Sequence, residues 1–148
     1  MKRKYILFLS LMFFLALSGC GKEENIVFPF TVSNVEYIES YYDNGESDIQ
    51  KKTITGESDI DYLYTYFSEL PVKNERSSSA DDGSTLRFVF ILAEGTSYEL
   101  TYIGVAVKKG RLQSETAGFD YFTSSDVVGF WGNLSGEIDL ISAADTPQ

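Results

Sequence analysis

The sequence predicts an α+β domain: an antiparallel sheet of about five or six strands, one amphipathic helix on one face, and a short C-terminal helix. Three observations point there. Two stretches rich in β-formers flank the turn signal Asp43-Asn44-Gly45. Ile60, Leu63, Tyr64, Phe67 and Leu70 then fall at i, i+3, i+4, i+7 and i+10, one apolar stripe at helical spacing. Finally, Leu86, Phe88, Phe90 and Leu92 alternate at strand spacing, and further alternating runs follow.

The elements follow in order. A first strand is expected to about Tyr42, with Val35, Tyr37 and Ile38 in it, and a second from about Ile49 to Thr55. Ser58 is the expected cap of the main helix, with Asp61 three residues on. Asp59 and Asp61 suit the positive end of the helix dipole, and Pro71 disfavours helix at Leu70 and stops it. Alone such a helix is marginal, so its stripe must be buried on a sheet. The pentapeptide Gly-Glu-Ser-Asp-Ile occurs at 45–49 and 56–60. One copy leads into a strand and the other into the helix, and two copies do not make a repeat architecture.

Asn74 to Ser84 has no apolar periodicity and reads as a mobile loop. Beyond it, Val89 and Ile91 make the second face of their strand apolar too, which predicts cover on both sides. Ala93 to Thr96 is the next hairpin loop, and Lys108 to Gly110 turns the one after. Phe119, Tyr121 and Phe122 suggest one more short strand. Ser124 or Ser125 can cap the second helix, with Val127, Val128, Phe130, Trp131 and Leu134 as its apolar side. Gly129 and Gly132 weaken it by about 1 kcal/mol each.

The first twenty residues have three zones. Lys2, Arg3 and Lys4 are basic, Tyr5 to Leu17 is nearly all apolar, and Ser18-Gly19-Cys20 is small. That is the order of a secretory signal. Thirteen helical residues reach about 20 Å, short of the ~30 Å hydrocarbon core. Leu17-Ser18-Gly19-Cys20 resembles a bacterial lipoprotein box at every position. The resemblance implies cleavage before Cys20 and a diacylglycerol on its sulfur, hence localisation at the cell membrane, lipid-anchored, on the extracytoplasmic face. Two acyl chains are enough for stable anchoring. The order and spacing of the elements over residues 27–125 also resemble small Firmicute-type extracytoplasmic lipoproteins, a group that brings no activity with it.

The expected organisation is a signal peptide at 1–19, a lipidated Cys and short tether at 20–26, a single domain at 27–136 and a flexible tail at 137–148. Removing the signal leaves 129 of the 148 residues, enough for one domain without disulfide or metal. All 22 acidic residues but only nine of the 12 basic ones remain, for a formal charge of about −13. The remaining cations are scattered, which argues against nucleic acid.

The chain contains no His, and its one Cys is assigned to lipid. The usual zinc and copper sites therefore lack ligands, and a nucleophile activated by His cannot be assembled. No phosphate-cradling or serine-hydrolase motif occurs. No cofactor is expected. Asp43–Asp48 and Asp81–Ser84 put oxygen ligands beside Gly but lack the calcium-loop spacing, and turn chemistry accounts for both. Carboxylate catalysis is left to composition alone, since sequence does not show two acids facing each other.

Tyr41 and Tyr42 lie beside the first turn, and Tyr62 and Tyr66 are i, i+4 on the helix, off its main stripe. Exposed Tyr offers rigid contact area with a polar tip, so these four are the candidate ligand-binding residues. The competing reading is that Tyr62 and Tyr66 pack on the edge of the sheet or on a loop. The expected function is that of a lipid-anchored, monomeric binding or accessory module, without catalysis, for a protein, peptide or cell-wall ligand. The alternatives are an inhibitor or sensor-accessory protein in envelope stress, or a small carboxylate-dependent hydrolase.

Overall fold

The computed structural model describes residues 22–74 and 83–146. Cys20, the rest of the lipoprotein box and most of the expected 74–84 loop lie outside them. In chain order the strands are β1 (Glu23–Glu24), β2 (Val35–Asp43), β3 (Asp48–Ile54), β4 (Val72–Lys73), β5 (Thr85–Leu92), β6 (Ser97–Ala106), β7 (Lys109–Ser114), β8 (Phe119–Thr123) and β9 (Asp139–Ser142). The helices are α1 (Glu57–Glu69) and α2 (Val127–Gly132). The strands form one antiparallel sheet in the order β1-β4-β8-β7-β6-β5-β2-β3-β9.

The α+β class holds, but nine strands replace the expected five or six. The additions, β1, β4 and β9, lie at the two ends of the sheet. β1 and β4 have two residues each, too short for any period to show. β9 corrects the expected flexible tail, because Asp139–Ser142 pairs with Lys51–Asp48 along the free edge of β3. The expected tether of 20–26 likewise shortens, because Glu23 and Glu24 pair with Lys73 and Val72, and Ile26 is buried. Backbone groups on an open strand edge need partners, and such short segments supply them without an apolar pattern of their own.

One face of the sheet is covered. Its inward residues include Ile38 on β2, Leu86, Phe88 and Phe90 on β5, Leu100 and Tyr102 on β6, and Leu112 on β7, all buried. Ile60, Leu63 and Phe67 of α1 are buried against them, and Phe67 meets Phe88 edge-on at 4.9 Å between ring centroids. Each such burial contributes about 1.5–3 kcal/mol. The segment between β1 and β2 adds Phe28 and Phe30, which pack with Tyr64, Phe90 and Tyr98. The Tyr64 hydroxyl donates to the Phe30 carbonyl at 2.8 Å.

The other face lacks such cover among the described residues. Val89 and Ile91 are half-buried rather than enclosed, which corrects the expected two-sided cover. Their neighbours on that face include Glu39, Arg87, Glu99 and Thr101, polar residues that are themselves half-buried.

The first turn follows the sequence, and later turns and caps depart from it. The Asp43 carboxylate accepts from the Gly45 amide at 2.8 Å, and Gly45 has φ +84°. The two Gly-Glu-Ser-Asp-Ile copies enter β3 and α1, so context decides their state. The β6–β7 turn falls at Val107-Lys108, with Lys108 at φ +55°. Gly110, expected in the turn, lies in β7 under the Tyr102 ring, where a Cβ would approach ring carbons to 2.3 Å. The caps differ from expectation as well. Gly56, not Ser58, precedes α1, and its carbonyl accepts from the amides of Asp59 and Ile60. Asp126, not Ser124 or Ser125, caps α2 by accepting from the Gly129 amide at 2.8 Å.

Candidate binding cleft

A cleft of about 630 Å³ opens at the N-terminal end of α1. Its position follows from two local events. β3 ends at Ile54, and the chain turns through Thr55 and Gly56 into α1. On the other side, Thr31 starts a single 3-10 turn over Val32–Asn34 that feeds β2. The Thr31 hydroxyl donates to the Asn34 side-chain oxygen at 2.5 Å. The Ala93 amide donates to the Asn34 carbonyl at 2.9 Å, tying this turn to the β5–β6 hairpin.

Val32, Val35 and Ile60 give the cleft an apolar floor. Glu36, Glu57 and Asp61 bring carboxylates to it, and Ser33, Thr55 and Ser58 bring hydroxyls. The carboxylates and hydroxyls are exposed, whereas Ile60 is buried and both Val are half-buried. Among the described residues no Lys or Arg lines the cleft. Among the described residues no three acids close on one point as a metal site requires, so these carboxylates border the cleft rather than converge in it. Such a surface grips an aliphatic or ring portion below and a cationic or hydroxyl group above.

The four candidate tyrosines do not form one patch. Tyr41 is 4% exposed and lies on the uncovered face of the sheet. Its hydroxyl donates to Glu39 at 2.7 Å, and its ring lies 4.8 Å from the Arg87 guanidinium carbon and 5.5 Å from Lys51 Nζ. Tyr42 points to the covered face, half-buried, 5.0 Å from the Trp131 ring. Tyr66 is half-buried and stacks on Phe130 at 3.5 Å and 5°. Of the four only Tyr62 is exposed, at 59%, with its ring 5.3 Å from Phe130. Tyr66 thus helps hold α2 to α1 through Phe130, while Tyr62 lies beside the same ring and stays exposed; the partner is a helix rather than the sheet edge. Burial pushes the Tyr66 hydroxyl well above its usual range, with Asp126 adding to it. Burial also raises Tyr102, to about 12.

Two polar constructions flank this framework. On the uncovered face, Lys51 Nζ donates to Glu39 at 2.6 Å. Burial pushes the Glu39 carboxyl upward, but hydrogen bonds from Lys51 and Tyr41 and the charges of Lys51 and Arg87 outweigh it and leave it below its usual range. The Glu39 hydrogen bond raises Lys51. On the covered face, Lys52 is 2% exposed. Its Nζ donates to the carbonyls of Trp131 at 3.0 Å and Leu134 at 2.9 Å, and lies 4.5 Å from the Trp131 ring centroid. The Trp131 indole donates to Ser40 Oγ at 2.9 Å. Lys52 and Ser40 therefore bolt the end of α2 to β2 and β3, and burial lowers the Lys52 ammonium.

Sequence reasoning missed the cleft. It read Asp61 as part of a helix start and left Glu36 and Glu57 unremarked. A strand start and a helix start meet there, and adjacent residue numbers carry no sign of that. Comparison with known protein families, with curated proteins and with solved structures returns no match. No helix among the described residues is long and apolar enough to cross a membrane.

Proposed function

We propose that this chain is a lipid-anchored binding module at the extracytoplasmic face of the cell membrane, with the cleft beside α1 as its ligand seat. The observation that carries the reading is the order Leu17-Ser18-Gly19-Cys20 behind a basic start and an apolar run. It gives the thiol of Cys20 a role as acceptor of the lipid. The cleft supports the second half. Its apolar floor and carboxylate rim suit a positively charged group carried on an aliphatic stem, as on a basic side chain of a protein or peptide or an amine of a cell-wall component. An inhibitor or sensor-accessory role in envelope stress would use the same seat. The hydrolase alternative gains no support from this cleft, whose carboxylates are all exposed, whereas general-acid chemistry calls for a carboxyl sheltered from water.

The test is photo-crosslinking in cells. A photoreactive residue replaces Ser58 in the cleft or, as control, Leu140 in β9. The reading expects a discrete crosslinked species from position 58 that is absent at 140. It should disappear when Glu36→Gln, Glu57→Gln and Asp61→Asn are combined. The same species from both positions, or one that survives the triple substitution, would remove the cleft as ligand seat.

A further inference from the structure

The β1 end of the sheet has a partner dictated by chain length, an argument that rests on the lipid anchor proposed above. Only Gly21 and Lys22 separate Cys20 from Glu23, and Glu23 is paired with Lys73. Three steps of about 3.3–3.6 Å span at most about 11 Å. The headgroup layer is itself roughly 5–7 Å thick on each side of a bilayer. Acylated Cys20 therefore holds the β1 edge at the headgroups.

This edge is built to meet them. A cavity of about 140 Å³ opens there, lined by Glu23, Pro71, Lys73, Phe122, Ser124 and Ser125. The Lys73 ammonium and the Ser124 and Ser125 hydroxyls are donors suited to phosphate oxygens, and Pro71 and Phe122 supply an apolar wall. Glu23 on the same rim opposes a second negative charge, which favours a single phosphate. The walls are fixed: Thr123 Oγ1 donates to the Pro71 carbonyl at 3.0 Å and accepts from the Ser125 amide at 3.2 Å. Val27, 84% exposed, follows close behind β1 in the chain.

Charge decides how the domain stands on this edge. α1 has Glu57, Asp59, Asp61 and Glu69 and no Lys or Arg, whereas on the uncovered face Glu39, Glu99 and Asp120 are offset by Lys51, Arg87 and Arg111. Laying the α1 side on an anionic leaflet would bring unbalanced carboxylates to it. Six strand spacings of about 4.8 Å separate β1 from β2, so the cleft can stand up to about 29 Å farther out.

We propose that the β1–β4–β8 edge docks on the phospholipid surface, seating a headgroup phosphate between Lys73 and the Ser124–Ser125 hydroxyls, with the ligand cleft held outward. The test uses the full lipidated protein in phosphatidylethanolamine–phosphatidylglycerol vesicles containing spin-labelled phosphatidylcholine. Lipid blocks Cys20, so one added cysteine takes a fluorophore: Val27→Cys beside this edge, outside the cavity, or Leu140→Cys at the far one. The expected result is several-fold stronger quenching at 27 than at 140. Adding Lys73→Glu should lower quenching at 27 toward the level at 140 while the protein still floats with vesicles, because two acyl chains suffice to hold it. Equal quenching at both positions in protein that floats would overturn the docking and leave the anchor standing. Quenching at 27 unchanged by Lys73→Glu would overturn the phosphate seat. Protein that does not float would overturn the anchor, and the docking with it.

Discussion

Lys51 and Lys52 are neighbours in β3, yet they belong to opposite faces of the sheet and behave as opposites. Lys51 sits on the uncovered face with a carboxylate partner, and the Glu39 hydrogen bond raises its pKa. Lys52 sits under α2 with two carbonyls and an indole ring, and burial lowers its pKa. The pleat alone separates them. The difference teaches where stability resides. The covered face buries aromatic and aliphatic groups on helices, and a polar group is admitted only when it fastens an element. The uncovered face keeps its charges partly solvated and pairs them across strands, where each pair is worth little.

Four substitutions can break or sharpen that contrast. Phe67→Ala removes the ring between α1 and Phe88 and should cost about 3–5 kcal/mol in denaturant unfolding. A loss below about 1 kcal/mol would mean α1 is not the main cover of the sheet. Lys52→Met should cost about 1–3 kcal/mol, because the carbonyls of Trp131 and Leu134 lose their donor. The pH dependence carries the sign. A lowered Lys52 makes its charge a folded-state penalty, relieved as pH rises through the folded value toward 10.5. Stability curves of wild type and Lys52→Met should therefore diverge in that window, with wild type gaining.

Glu39→Gln should cost up to about 1 kcal/mol near neutral pH, as a partly solvated pair does. Because the folded Glu39 pKa is lowered, its contribution is present above 4.5 and fades as pH falls through the folded value. Lys51, raised, contributes below 10.5 and loses that contribution as pH rises through its folded value, opposite in sign to Lys52. Equilibrium unfolding across pH checks both. Tyr62→Ala should change stability by no more than about 0.5 kcal/mol, since Tyr66 already stacks on Phe130. A larger loss by thermal unfolding would show that exposed Tyr62 helps fasten α2.

Much of this fold was legible in the residues. The stripe of Ile60, Leu63 and Phe67 is buried as its spacing required, and Leu86 to Leu92 face the core in alternation. Asp43-Asn44-Gly45 turns the first hairpin. The edge strands were not legible, because two- to four-residue pairings follow from a neighbour's open backbone rather than from their own side chains. Two-sided apolarity at Val89 and Ile91 suggested a cover, but their strand neighbours are Glu39 and Glu99, and no helix of the described residues packs on that face. The tyrosines were found as residues but not as a group. Tyr41 and Tyr42 are adjacent in a strand and so must diverge, and Tyr66 is claimed by Phe130 from a helix far along the chain. Lys52 gave no sign of burial, since its partners are main-chain carbonyls that every residue has.

Metabolic labelling with radioactive palmitate, in cells expressing the wild-type chain or Cys20→Ala, tests the anchor most directly. Label is expected on the wild-type protein in the membrane fraction and none on Cys20→Ala. Label retained by the variant, or absent from both, would contradict the anchor.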